Sequence, residues 1–224
     1  MTTLLIATRN AHKVGEIQAI LGANFHCLTL KEFPDAPAVV EDADTFAGNA
    51  TKKAMALARW LAKNSKLKTQ NLKLDFVLAD DSGLEVDALN GAPGVHSARF
   101  AALDKSENSP DADNNAKLLR LLKDVPLVKR TARFRCVMAL VPVAPATSNQ
   151  QPADQLFDGA CAGRIQLAAS GQGGFGYDPL FVPDGLTQSF AELGEDVKNQ
   201  ISHRAQALAK LRHFFNHQDT KAQS

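Results

Sequence analysis

Apolar and polar positions along this chain switch between a two-residue and a helical period, which marks out strands and helices in alternation. Leu4, Leu5, Ile6 and Ala7 form a short apolar run that stops at Thr8, Arg9 and Asn10, the pattern of a buried strand entering a turn. Val14, Ile17, Ile20 and Leu21 then fall at helical spacing, with Gly22 as the stop. A second strand is read over His26 to Leu30, and a Pro-rich, acidic stretch through Val40, Glu41, Asp42 and Asp44 leads to Thr45, a good N-cap. Behind it Phe46, Ala50, Ala54, Leu57, Ala58 and Leu61 make one apolar stripe, so a long helix is predicted to pack on a sheet.

The Lys-rich stretch Lys63 to Lys73 carries no apolar face and reads as a solvated connection. Phe76 to Ala79 is the next buried strand, delivering Asp80, Asp81, Ser82 and Gly83 at its end. Leu84 and Val86 alternate with Glu85 and Asp87, which suggests a further strand pair or hairpin before the turn residues Asn90, Gly91, Pro93 and Gly94. A helix over Asn114 to Leu122 and a long half-buried strand over Thr131 to Val141 follow, then a Pro/Ala/Gln loop from Pro142 to Pro152. Strands are read near Leu156 to Ala160 and Arg164 to Leu167, ahead of a glycine-dense stretch at 171–176. Ser202 is placed to cap a final helix bearing Ala205, Leu208, Ala209 and Leu211, and the tail from His217 is predicted to fray. The fold class is therefore α/β, with residues 1–216 as one domain and 217–224 as a flexible tail.

A length of 224 residues suits one large domain or two closely packed lobes. With 45% apolar and 22% charged residues the chain is expected to be globular. Twenty-five basic against 24 acidic residues leave a net charge of +1, no field for a nucleic-acid polymer, so none is expected as a partner. Cys27, Cys136 and Cys161 form no C-x-x-C pair. Neither a disulfide framework nor a zinc site is signalled, and they read as buried thiols in a reducing compartment. No segment reads as a signal peptide or approaches the roughly 20 apolar residues that span a bilayer, which makes a cytoplasmic protein without a membrane partner the expectation.

Four segments carry candidate chemistry. Thr8, Asn10 and Lys13 surround a helix start, where N–H donors and the macrodipole favour an anion; a capped helix with a solvated lysine is the plain alternative. Asp80 and Asp81 follow an apolar strand, and because neighbours on a strand point to opposite faces, only one of them should enter a given cleft. Two such carboxylates cost desolvation unless a cation offsets it. Gly173, Gly174, Phe175, Gly176, Tyr177, Asp178 and Pro179 set aromatics among glycines, suited to stacking on a base, although Tyr177 serves equally as core. Lys198, Ser202, His203 and Arg204 place cations and donors at the start of the last helix, with a solvated charged face as the alternative.

Taken together in order, these motifs resemble the inosine/xanthosine triphosphate pyrophosphatases. The resemblance runs over nearly the whole chain: T-x-N-x-x-K at Thr8, Asn10 and Lys13; Thr45, Phe46, Asn49 and Ala50; A-D-D-S-G-L-x-V-D from Ala79 to Asp87; G-A-P-G-V-H-S-A-R-F from Gly91 to Phe100; G-G-F-G-Y-D-P from Gly173; and S-H-R from Ser202. It implies an elongated mixed sheet flanked by helices, two lobes with a central nucleotide cleft, and a homodimer. It also implies Mg²⁺-dependent hydrolysis of ITP, dITP and XTP to the monophosphate and pyrophosphate, cleansing the nucleotide pool. By the same resemblance Asp81 is the general base or a metal ligand, Glu41 the second metal carboxylate, and Thr8, Asn10, Lys13 and Ser82 hold phosphates. Phe175, Gly176, Tyr177, Asp178, Lys198, His203 and Arg204 match the nucleotide and base contacts. Gly48 stands where the family often has Glu and Arg9 where it often has Gly, and the two loops rich in Lys and Pro look longer than usual.

Overall fold

A computed structural model of the chain describes residues 1–64, 74–102, 107–143 and 155–221, with side chains through 217. Most of the Lys-rich connection (65–73) and of the Pro/Ala/Gln loop (144–154) lies outside the described residues. Six strands form one mixed sheet in the order β2-β1-β3-β4-β5-β6: β1 (Thr2–Ile6), β2 (Phe25–Thr29), β3 (Phe76–Val86), β4 (Thr131–Pro142), β5 (Gln155–Ile165) and β6 (Phe181–Pro183). β1 pairs in parallel with β2, Leu4 opposite Cys27, and with β3, Leu5 opposite Val77, whereas β5 and β6 are antiparallel. The helices are α1 (Ala11–Leu21), α2 (Phe46–Lys63), α3 (Asp111–Leu121), α4 (Phe190–Ile201) and α5 (His203–Lys221). The α/β class and the mixed sheet read from the sequence are thus present.

The chain divides into two compact units. The first comprises Met1–Asp81, Val137–Asp158 and Ala207–Ser224, the second Ser82–Cys136 and Gly159–Gln206. The core of the first unit sets Leu5, Leu28, Val77, Ala79 and Val141 against Ala50, Ala54, Leu57, Ala58 and Leu61 of the α2 stripe. That of the second gathers Leu84, Val86, Leu118, Phe134, Ile165, Tyr177, Phe181 and Phe190. β3, β4 and β5 each begin in one unit and end in the other.

Four readings of the sequence are corrected here. Asp80 to Gly83 do not end a strand, because β3 continues through them to Val86 and absorbs the supposed hairpin. Likewise β5 is one strand of 11 residues, not two. Polar residues inside β3, and small residues with two glycines inside β5, disguise their length. A whole helix, α4, precedes Ser202; its Ser189 N-cap accepts from the Glu192 N–H while Glu192 reaches back, a reciprocal cap. Lys198 belongs to the end of α4, so it does not open the last helix. The backbone of α5 is helical to Lys221, within the stretch read as a tail. Cys136 and Cys161 are buried but Cys27 is only half-buried, and none of the three is in a disulfide among the described residues; burial, then Asp184, raises the Cys161 thiol to about 11.

Candidate active site

In the first unit the turn after β1 caps α1. Asn10 Oδ1 accepts from the backbone N–H of His12 at 3.0 Å and of Lys13 at 3.1 Å, and Thr8 Oγ1 accepts from the Asn10 N–H at 3.2 Å. The helix-start donors counted towards an anion are therefore engaged by Asn10 itself. Lys13 Nζ lies 2.5 Å from Asp80 Oδ1, whose side chain is fully buried. Asp80 is thus the counter-ion of the lysine that the sequence aims at phosphate, a role not anticipated for it.

Asp81 faces a different set. Asn49 Nδ2 donates to its Oδ2 at 3.1 Å, and Lys53 Nζ lies 3.5 Å from its Oδ1. The same Nζ donates to Glu41 Oε2 at 2.9 Å and to the Asp80 carbonyl at 2.7 Å. The alternation of side chains along a strand separates the two aspartates as expected. Glu41 arrives from the loop before α2, and the two carboxyls share a hydrogen bond. Burial raises Asp81 to about 6 against the pull of Lys53 and Lys13, with Glu41 adding to the rise. Burial also pushes Glu41 upward, but Lys53, the bond with Asp81 and Lys13 outweigh it, and its net direction is down. One carboxyl of the pair is therefore held as the anion and the other leans towards its protonated form.

Three carboxylates against two ammonium groups leave the fully ionised cluster with a net negative charge. Glu41 and Asp81 offer hard oxygens on either side of the Lys53 ammonium, a donor type that suits a divalent cation. The donor set fits Mg²⁺, which typically takes one or two carboxylates and keeps water for the rest. Among the described residues no group of three or more His, Cys, Asp and Glu gathers as an all-protein cage.

Lys53 is the residue that sequence reading missed. It sits seven positions after Phe46 on the apolar stripe of α2 and is 8% exposed. A lysine on a buried stripe is itself the signal, because an ammonium is kept there only where anions neutralise it. Gly48, one turn earlier, has little room for a side chain: a Cβ there would lie 2.8 Å from Ala43 Cβ.

In the second unit the glycine-rich segment closes around Asp178. Asp178 Oδ2 accepts from the Phe175 N–H at 2.8 Å and from Lys198 Nζ at 2.5 Å. Gly174 has φ +73°, and a Cβ on it would stand 2.2 Å from that oxygen, so glycine is required. The loop is pinned at Gly176, whose N–H donates to Asp111 Oδ2 at 2.6 Å and whose carbonyl accepts from Asn115 Nδ2 at 2.9 Å. Lys198 Nζ lies 4.4 Å from the Phe175 ring centre and so covers one face of the ring expected to stack on a base. Tyr177 is buried with its hydroxyl donating to the Ser97 carbonyl at 2.8 Å, which is the core placement weighed for it above. Burial, then Asp111, raises its phenol.

Arg204 is 1% exposed; its Nη2 donates to Ser82 Oγ at 3.0 Å and its Cζ lies 6.0 Å from the Phe175 ring centre. The His203 ring stacks on Phe134 at 4.8 Å, 14° from parallel. Within this unit the structure therefore brings Ser82, Phe175, Asp178, Lys198 and Arg204 together, while Thr8, Asn10, Lys13, Glu41 and Asp81 belong to the first. Covalently the two sets meet at the Asp81–Ser82 peptide.

Comparison with known proteins agrees with these motifs. A model described as the Ham1 family matches residues 4–214. The dITP/XTP pyrophosphatase of Desulforamulus reducens is 45% identical over 216 residues, 95% of this chain and 95% of its own. That of Geobacillus kaustophilus is 46% identical over 213 residues, covering 94% and 93%. Among solved structures, the Ham1 protein of Staphylococcus aureus matches with a TM-score of 0.76 and 34% identity, over 97% of this chain and 100% of that one.

Proposed function

The chain belongs to the Ham1 family, and from that premise we propose that it hydrolyses non-standard purine nucleoside triphosphates, ITP, dITP and XTP, to the monophosphate and pyrophosphate. It is a hydrolase acting on a triphosphate anhydride bond. The observation that carries the reading is the cluster of Glu41, Asp80 and Asp81 with Lys13 and Lys53, in which Asp80, Asp81 and Lys53 are buried and Glu41 and Lys13 reach solvent.

A triphosphate brings about four negative charges near neutral pH, and the cluster is itself net negative when ionised, so a divalent cation has to accompany the substrate. Mg²⁺ held by Glu41 and Asp81 would supply charge neutralisation at the phosphates when bound. Lys13 exchanges Asp80 for a phosphate oxygen, and Lys53 holds Glu41 and Asp81 at one point so that neither turns away. Asp81, leaning towards protonation near pH 6, is suited to take the proton of the attacking water. Thr8 and Asn10 shape the turn that presents Lys13, and Ser82, steered by Arg204, completes the phosphate contacts. Tyr177 props the loop of Phe175, Gly176 and Asp178 from beneath, and Lys198 orients Asp178 from the side.

Base selectivity follows from donors. His203 and Arg204 can donate to the carbonyl at purine position 6, which hypoxanthine and xanthine present and adenine replaces with an amine. A donor facing that amine is left unpaired, a mismatch that rejects ATP. Pyrophosphate release across ITP, XTP, dITP, GTP and ATP, with Mg²⁺ and with a chelator, tests the whole reading. Equal kcat/KM for ATP and ITP, or full rates in chelator, would refute it.

We propose further that the enzyme acts as a homodimer on the cytosolic nucleotide pool. Exposed Leu121, Leu127 and Val128, close together in the chain, support an apolar face for a second copy, and cysteines outside any disulfide among the described residues suit a reducing compartment. Among the described residues no helix is long and apolar enough to cross a membrane. Light scattering on the purified chain gives the subunit number directly; a monomer at micromolar concentration would remove the dimer.

A further inference from the structure

The last helix carries two histidines one turn apart that none of the chemistry above uses. His213 and His217 are exposed, and their Nε2 atoms lie 2.8 Å from each other. The ring centres are 4.1 Å apart with the planes 89° from parallel. At that separation one ring donates its N–H and the other accepts, so the two nitrogens are aimed at a single shared proton.

The backbone beneath them is held on two sides. Phe214, next to His213, packs edge-on against Phe157, with ring centres 5.6 Å apart. Phe215 does the same with Phe25 at 5.3 Å and Phe76 at 5.4 Å. The i, i+4 spacing then brings both imidazoles to one side of the helix, on a segment already fixed to the first unit by three aromatic contacts.

We infer that His213 and His217 form a two-nitrogen chelate for a borderline transition-metal dication such as Cu²⁺, Ni²⁺ or Zn²⁺. Imidazole nitrogen binds such ions at about 2.0–2.1 Å. Two nitrogens 2.8 Å apart are placed as neighbouring ligands of a square or octahedral ion, meeting it at nearly a right angle. Opening the pair to about 3.3 Å suits a tetrahedral ion with the same bond lengths, a change that exposed rings reach by small side-chain rotations. The ion takes the place of the shared proton and keeps water at its other positions. This donor set is chemically distinct from the carboxylate pair, since imidazole prefers borderline ions and Mg²⁺ prefers hard oxygens. It should therefore discriminate against Mg²⁺ even at millimolar concentration.

Titration of the full chain, prepared without an affinity tag, with Cu²⁺, Ni²⁺ and Zn²⁺ by calorimetry tests this, with ring resonances followed by NMR for Zn²⁺. One ion per chain is expected to bind at this pair, tightest for Cu²⁺, with the resonances of His213 and His217 moving. His213→Ala and His217→Ala should each weaken binding at least about tenfold, because a chelate reduced to one nitrogen loses its second bond. Both variants should keep wild-type pyrophosphate release with Mg²⁺ and an unchanged melting temperature in metal-free buffer. Binding that persists in the double variant, at Cys27 or elsewhere, with the two ring resonances unmoved in the wild type, would overturn the inference.

Discussion

Replacing Asp81 by Asn removes an ionisable group while keeping the shape of the side chain. In the folded chain this carboxyl is raised from 3.8 to about 6, by burial first. At about 1.4 kcal/mol per tenfold change in acidity, that displacement corresponds to at most about 3 kcal/mol. The sign follows from linkage: the folded state holds the Asp81 proton more tightly than the unfolded chain does. This contribution to stability is complete below the unfolded value near 4 and is lost as pH rises through about 6. An asparagine cannot ionise and suffers no such loss. Its amide oxygen can still accept from Asn49 Nδ2, the contact now at 3.1 Å, and Lys53 keeps Glu41 as its counter-ion.

The variant should therefore melt together with the wild type near pH 4 and no lower than it at pH 8, while turnover of ITP at pH 8 falls by about 10²-fold or more, the usual range for a lost proton acceptor. Addition of Mg²⁺ should raise the melting temperature of the wild type by mass action and do so much less in the variant. Wild-type kcat/KM should climb as pH rises through about 6, as Asp81 gives up its proton. Scanning calorimetry over pH 4–8 and pyrophosphate release read these quantities. Near-normal turnover would remove Asp81 from the chemistry, and a variant less stable than wild type at every pH would refute the account of its environment.

Four further substitutions probe the rest of the site. Lys53→Met should destabilise the fold by about 3–5 kcal/mol at pH 8, the usual cost of stranding buried partners. The deficit should shrink on acidification as Glu41 and Asp81 take up protons; a pH-independent deficit in denaturant melts would contradict this. Gly174→Ala forces a Cβ towards Asp178 Oδ2 at a positive φ, and should raise KM for ITP by breaking the Asp178–Lys198 pair, checked by steady-state kinetics; unchanged KM would free that pair from substrate binding. Asn115→Ala and Asp111→Ala release the two backbone groups of Gly176, and each should raise KM by about tenfold with kcat less affected, the signature of lost binding common to ground and transition states.

Much of the fold was legible because burial imposes periodicity. The stripe of α2 is where the sequence places it because one face packs on a core, and the apolar run of β1 because both of its faces are buried. β3 reads as ending early because polar residues interrupt it, and β5 reads as two strands because the small residues Gly159, Ala160, Ala162 and Gly163 thin its apolar pattern. In β3 the polar residues are Asp80, Asp81 and Ser82, whose partners Lys13, Lys53, Asn49 and Arg204 all come from other elements. A strand carries charge through a buried sheet when distant residues neutralise it, and no local pattern records that. α4 escaped notice although Phe190, Leu193, Val197 and Ile201 keep helical spacing, because a glycine with φ +80° at Gly194 breaks it internally.

The same logic separates the parts of the site that motifs could reveal from those they could not. Asp81, Lys13 and Glu41 lie in acidic or polar segments where such residues look like chemistry. Lys53 lies in a stripe where the eye counts alanines and leucines, yet it touches Glu41, Asp81 and the Asp80 carbonyl at once. Its ammonium lies against both carboxyls of the proposed metal pair, so any cation entering there must either displace Lys53 or share the carboxylates with it. That competition makes metal affinity a property of Lys53 as much as of the carboxylates. Lys53→Arg, which keeps the charge but replaces a compact ammonium with a planar fork, should accordingly shift the Mg²⁺ concentration for half-maximal rate more than it shifts KM for ITP at saturating Mg²⁺. Equal shifts in the two quantities would show that the lysine acts on the nucleotide and not on the ion.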